Sequence, residues 1–348
     1  GLQWFLPLVW SVHAELGGPA NVVIAVVDSG WVDNQNNFKF NEVDYENRNN
    51  PRFFLPLLHL LSASPPLFLS DLERQGCVRR CFRRAVWGYR QLSTHRERLR
   101  AGRPRPGAAV YQEALELWAR ASPVVNDAVM GTDHFYVGPG LRLGPNSYPN
   151  SKVPSVAVVR LLFIQRTKSR RIQNLPELVA AAEELPHLHG FAACAAVAGE
   201  NGTAGWKAMS SLAQMGLARQ TDVMIGPSGN ELGLAAFMQR GRWLLELMPP
   251  PVYYQDGSLY EINNCLERWD ANPGSLVGHT ALRALVHHAC LFVSVPGGGR
   301  VTMSDVSAPH WRHIPTLHVD MERFKQALIY PLMNMAKEPA WVYKAVDI

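Results

Sequence analysis

Thr221–Met238, TDVMIGPSGNELGLAAFM, decides how the second half of the chain is read. A short apolar run stops at Gly226-Pro227-Ser228-Gly229, and a helix is predicted to open at once over Glu231–Gln239. Glycines at a strand end let a ligand approach the main chain closely. A helix starting there points unbonded N–H groups, and the positive end of its dipole, at the turn. The same letters are also ordinary punctuation between a strand and a helix. The choice depends on what else reaches that edge.

Working outward, the chain is regular on both sides of the motif. Ser155–Ile164, SVAVVRLLFI, reads as a hydrophobic strand, Leu175–Leu185 as a helix with Pro176 tolerated in its first turn, and Phe191–Val197 as a strand. Trp206–Arg219 reads as a helix, Asp222–Ile225 as a strand and Trp243–Leu247 as another strand. Strands alternating with helices predict parallel β-α units, hence an α/β fold with a doubly wound parallel sheet. Ligands of such sheets bind beyond the carboxyl ends of the strands. Two predicted loops lie there, Gln165–Asn174 and Gly226–Asn230.

The first of these loops, QRTKSRRIQN, carries Arg166, Lys168, Arg170 and Arg171 directly after a buried strand. A guanidinium fork holds phosphate oxygens in bidentate fashion. A solvated basic turn is the plain reading of that loop alone. Two anion-seeking loops on one sheet edge favour a diphosphate-bearing ligand. Glu246 ends the apolar strand RWLLEL, where a carboxylate could accept both ribose hydroxyls of a nucleotide. A salt bridge with Arg242 is the alternative.

The first ~150 residues are less regular. Val22–Asp28 reads as a buried strand closed by Ser29-Gly30, Phe53–Leu61 as an apolar run broken by Ser64-Pro65-Pro66, and Tyr111–Ala121 as a helix. Arg79–Tyr89 could form a strand with basic flanks, and Arg103–Gly107 is a loop or linker. The Gly- and Pro-rich Val137–Pro154 places a boundary between domains 1–150 and 151–348.

With 348 residues and 47% hydrophobic residues, the chain can bury a large core and is not a disordered polymer. No apolar run approaches the ~20 residues that span a bilayer, although a chain starting at Gly1 leaves room for a preceding anchor. The net charge is +5, with eleven arginines between Arg74 and Arg105. No zinc-finger spacing or aromatic RNA-binding signature accompanies them, so nucleic acid is not expected. Cys77, Cys81, Cys194, Cys265 and Cys290 form no metal-ligand pattern, and disulfides stay open. His187-x-His189 and His287-His288 lack a third ligand and read as core or surface histidines.

The segments QRTKSRRIQNLPEL and SSLAQMGLARQTDVMIGPSGNELGLAAFMQRGRWLLELMP, with VDMERFKQAL more loosely, resemble glycosyltransferase family 61. That family includes plant xylan arabinosyl- and xylosyltransferases and animal O-linked N-acetylglucosamine transferases. The resemblance covers roughly Ser155–Pro250; the first half is similar only in fragments such as CVRRCFRRAVWGY. It implies a GT-B fold, two Rossmann-like domains facing a cleft, with the nucleotide sugar held mainly by the C-terminal domain. It also implies inversion, a UDP-sugar donor, a glycan or glycoprotein acceptor, no required cofactor and a secretory compartment. By position, Arg166 and Arg170 or Arg171 would grip the diphosphate and Asn174 would anchor their loop. Gly226, Ser228 and Gly229 would form the facing turn, Gln214 would support it, and Glu246 would meet the ribose. The last helix, near Asp320–Met335, would pack back on the N-terminal domain.

One departure changes the charge of the site. Where the family reads Gly-x-His-Gly-Ala-Gly-Leu, this chain has Ser228 for the histidine and Glu231 for the third glycine of that run. Serine donates a hydrogen bond but no charge, and Glu231 would repel a diphosphate. This motivates an alternative expectation, a catalytically silent member binding glycan or protein. A transferring enzyme needs a base for the acceptor hydroxyl and a positive pocket for departing UDP. Asp28 and then His134 are the candidate bases from the N-terminal half, each with a structural role as the plainer reading. The chain has no Asp-x-Asp, so no metal site is expected and arginines carry the neutralisation.

Overall fold

The computed structural model describes residues 5–6, 8–9, 12–13, 16–18, 22–26, 51–65, 67–68, 110–130, 158–166, 169–188, 192–199, 209–261, 278, 280–281, 284–305 and 314–335. The chain divides into two compact units: Gly1–Gly131 with Ser210–Met215, and Thr132–Met209 with Gly216–Ile348. Asp28, His134, Lys168 and the Arg79–Tyr89 segment lie outside the described residues.

In the first unit, β1 (Ala25–Val26) pairs in parallel with β2 (Leu67–Phe68). Among the described residues of the strand expected over Val22–Asp28, Ala25 and Val26 are in ladder register. Between them in sequence lies helix α1 (Pro51–Leu60), with Pro56 inside it, over most of the apolar stretch expected at Phe53–Leu61. Helices α2 (Val110–Ala121) and α3 (Pro123–Met130) follow. Tyr111, Leu115 and Trp118 lie one helical face apart and are buried, Trp118 against Phe5 with ring centroids 5.5 Å apart.

The second unit is built on five parallel strands: β3 (Val158–Ile164), β5 (Ala192–Ala198), β6 (Val223–Pro227), β7 (Trp243–Met248) and β10 (His287–Phe292). Their order across the sheet is β10-β7-β6-β3-β5. The chain therefore runs from β3 outward to β5, returns past β3 to β6, and continues to β7 and β10. The direction of winding reverses between β3 and β6, which makes that gap the topological switch point of an α/β sheet. The smaller strands are β4 (Arg171–Ile172) paired with β12 (Thr316–Leu317), and a sheet of β8 (Val252–Tyr253), β9 (Leu259–Glu261) and β11 (Val301–Thr302).

Alternation along the strands assigns the faces. Val159, Leu161, Phe163, Val223, Ile225, Leu245, Leu247, Ala289 and Leu291 form one buried cluster with two helices. Helix α4 (Leu175–His187) contributes Leu178, Ala181, Ala182 and Leu185, and α6 (Met321–Met335) contributes Phe324, Ala327, Leu328, Leu332 and Met335. Both sets follow the three- and four-residue spacing of one helical stripe. Helix α6 lies against α4, β7 and β10 of its own unit. Helix α5 (Ser211–Gln220) precedes β6. The segment expected as a helix over Glu231–Gln239 is instead a 3-10 helix, Asn230–Phe237. Gly233 weakens an α-helix there, and Leu234–Met238 are buried without a solvent face, so packing decides the backbone.

At the amino ends of the strands a fully buried carboxylate ties three of them together. Asp222 Oδ2 accepts from the Arg160 main-chain N–H at 2.8 Å and lies 3.3 Å from Arg160 Nε, while Oδ1 lies 3.3 Å from Arg242 Nε. Its own N–H and carbonyl bond Arg160 O and Trp243 N. Cys194 on β5 is a free thiol whose pKa burial pushes up to about 11, with Glu183 adding to the rise and Arg160 opposing it. Removing one partner of a buried ion pair typically costs about 3–5 kcal/mol. Asp222→Ala is therefore expected to lower unfolding free energy by about 3 kcal/mol or more in urea titration, and Arg242→Ala by less, because Arg160 still faces the carboxylate.

Candidate functional site

The end of β3 is held by its first loop residue. Gln165 donates its amide to Ile172 O at 2.9 Å and accepts from Ile172 N at 3.0 Å, which ties the end of β3 to β4. Its main-chain N–H bonds Ala198 O on β5 at 2.8 Å. Arg170 takes a left-handed backbone, φ 55°, a conformation that costs a non-glycine residue about 1–3 kcal/mol. Neighbouring main-chain bonds hold it there: Arg170 N to Ile314 O at 2.7 Å, Arg171 N to Pro315 O at 3.0 Å and Gln173 N to Leu317 O at 2.9 Å. Asn174 completes the brace, donating Nδ2 to Val319 O at 2.8 Å and accepting from Val319 N at 3.1 Å.

The facing turn is packed from beneath. A Cβ at Gly226 would sit 2.8 Å from Ile164 Cβ and 3.0 Å from Leu232 Cδ2, so only glycine lets β6 lie this close to the end of β3. Ser228 gives its main-chain N–H to Leu247 O at 2.9 Å, which commits that amide to β7. The first bond of the 3-10 helix runs from Leu232 N to Gly229 O at 3.2 Å. The amides of Asn230 and Glu231 come before that bond and are not used by the helix.

The two loops meet. Arg170, itself buried, donates its guanidinium to the Ser228 carbonyl. Arg166 extends across the bare backbone of Gly229, where a Cβ would collide with its guanidinium, and reaches Glu231: Nη1 to Oε2 is 2.8 Å. The side chains are 20% and 36% exposed, so this ion pair sits at the edge of solvent. Arg171 points into no such contact; it is an exposed residue of β4, opposite Thr316. Of the expected phosphate-gripping residues, Arg166, Arg170, Gly226, Ser228 and Gly229 are thus brought together at the switch point, with Asn174 bracing behind. Gln214 is buried on α5 in the stretch that belongs to the first unit.

Glu246 lies elsewhere. It is fully buried on the sheet face opposite the large helical cluster, in register with Gly226 and Cys290, and its Oε2 is 2.8 Å from His288 Nε2. Arg242, the expected alternative partner, is paired with Asp222. Glu246, His288 and Cys290 bring one ligand atom each within 4.8 Å of one another. The sulfur of Cys290 is disulfide-bonded, so it offers no thiolate, and the trio does not fit a metal centre. A glutamate in a wholly apolar strand requires a buried partner, but the partner was 42 residues away and nothing in the sequence identified it. Glu231 as the partner of Arg166 was equally concealed, 65 residues apart.

No protein-family model matches the chain, and no curated protein matches it. The two glycines of the turn differ in a measurable way. Gly226→Ala forces strand ends apart and is expected to cost about 1–3 kcal/mol in urea unfolding. Gly229→Ala displaces only the far ends of the Arg166 and Glu231 side chains, so its stability cost is expected to stay below about 1 kcal/mol.

Proposed function

We propose that this chain is a nucleotide-sugar-dependent glycosyltransferase of the inverting type, with the donor diphosphate at the switch point between β3 and β6. The observation that supports it is the convergence of the arginine loop and the Gly226–Gly229 turn at one edge of a parallel sheet. The likeness to glycosyltransferase family 61 supplies the donor class, a UDP-sugar of the xylose, arabinose or N-acetylglucosamine kind. It also supplies the acceptor class, a hydroxyl of a glycan or glycoprotein, and the GT-B arrangement of two Rossmann-like domains.

In this reading the acceptor oxygen attacks the anomeric carbon as the bond to the β-phosphate oxygen breaks, and the acceptor proton passes to a base. Arg166 offsets the charge that develops on departing UDP. Arg170 contributes by fixing the Ser228 carbonyl and hence the shape of the turn. Asp28 and His134 remain the candidate bases. The disulfide at Cys290 favours an oxidising, secretory compartment, because such bonds are rare in reducing ones.

A second reading is favoured by one specific contact, the Glu231 carboxylate on Arg166. A chain that neutralises its own phosphate-binding cation has the signature of a catalytically silent member, one that keeps the fold to bind glycan or protein. The two readings divide on a donor assay. UDP at millimolar concentration is expected to raise the melting temperature by a few degrees, and Arg166→Ala to abolish the shift. UDP released from a UDP-sugar by wild type, and lost with Arg166→Ala, supports transfer; binding without turnover across common UDP-sugars supports the silent reading. No shift with UDP or any UDP-sugar refutes the donor site.

A further inference from the structure

We infer that Glu231 occupies the position on Arg166 that a ligand phosphate would take, so that the carboxylate must be displaced before an anion binds, and Glu231 thereby sets the affinity of this subsite. The inference rests on the reading of the switch point as a phosphate subsite, and it adds a residue that determines how strongly, and for which charge, that subsite works.

Three observations carry it. The first is the directness of the contact. Arg166 Nη1 and Glu231 Oε2 are 2.8 Å apart, a charge-assisted bond spanning two loops 65 residues apart in sequence. A carboxylate oxygen at that distance fills one donor site of the guanidinium as a phosphate oxygen would.

The second is the commitment of the other described arginine that meets the turn. Arg170 donates to the Ser228 carbonyl and is buried, and Arg160 and Arg242 face Asp222 at the amino ends of the strands. Among the described arginines that meet the Gly226–Gly229 turn, Arg166 is the one a solute can reach.

The third is exposure. Both partners are partly in solvent, and pairs of that kind shift an equilibrium by no more than about fivefold. The contact is strong enough to hold Arg166 across Gly229 at rest and weak enough to yield. Once displaced, the carboxylate stays on the first turn of the 3-10 helix, where it continues to oppose a polyanion. A singly charged phosphate ester therefore suffers less than a diphosphate.

The test uses isothermal titration of inorganic pyrophosphate and of UDP into the full chain and four variants: Glu231→Gln, Glu231→Gly, Arg166→Ala and the Arg166→Ala/Glu231→Gln pair. Glu231→Gln and Glu231→Gly are expected to tighten pyrophosphate about three- to tenfold, a gain that combines loss of competition with loss of repulsion. The pair is expected to bind no tighter than wild type. Unchanged or weaker pyrophosphate binding in both Glu231 variants overturns the inference, as does a gain that persists in the pair. Tightened pyrophosphate, with UDP binding no better than pyrophosphate, sustains the role of Glu231 while refuting the nucleotide-sugar reading. Absence of binding to all five proteins at millimolar ligand overturns both.

Discussion

Two successive crossovers that deliver the chain to opposite sides of β3 cannot both cover the edge beside it. One carries the chain from β3 out to β5, and the next brings it back past β3 to β6. The loops that end β3 and β6 are therefore released side by side over an uncovered seam. Everything proposed for this chain depends on that constraint. The seam is narrow because Gly226 has no Cβ to hold off Ile164. It is closed above by Arg170, whose guanidinium bonds the Ser228 carbonyl, and by Arg166, which spans Gly229. The arginine loop owes its own shape to a separate brace, the ladder from Ile314 to Leu317 and the Asn174 clamp on Val319. The last helix thus contributes to the seam indirectly: its docking on β7 and β10 fixes the strip that fixes the loop.

The sequence made the sheet readable because its signals are local. Strands β3, β5, β6 and β7 are largely apolar runs of five to seven residues flanked by breakers, and α4 and the turn chemistry fall between them at regular spacing. Strand β10 was not read, since His287-His288 interrupts its apolar run and the residues before it carry no β-α rhythm. The helix expected over Glu231–Gln239 is wound as a 3-10 helix over Asn230–Phe237. Gly233 and the burial of Leu234–Met238 account for the tighter winding. Within the site, the residues that face outward from a turn were legible: arginines, glycines and a serine announce anion chemistry by type. Their partners were not. A buried polar pair is set by which strands adjoin, so Glu246 and His288 could be joined only after β7 and β10 were seen to be neighbours.

The same principle separates the two ends of the sheet. Aspartate and two arginines at the amino ends, and glutamate with one arginine at the carboxyl ends, are alike in chemistry and differ in solvent. Asp222 is inaccessible, and its bonds include main-chain groups of the strands it joins. Releasing it would strand a charge in the interior, which no ligand at the surface could repay. Glu231 and Arg166 each keep water within reach, so either can exchange its partner for solvent or for another ion at small cost.

Burial therefore ranks the ionic contacts by permanence. Asp222 with Arg242, and Glu246 with His288, belong to the scaffold because neither partner can be rehydrated without opening the sheet; Arg160 keeps an edge in solvent, but its main-chain N–H also holds Asp222. This bears on how the Glu246 carboxylate is to be understood. Its depth beneath the sheet face, with His288 already on one oxygen, ties β7 to β10 and places it among the structural charges. A ligand at the switch point would find its contacts in the turn amides, Arg166 and the glycine floor. A nucleotide at the proposed site would therefore have its ribose met by groups other than Glu246.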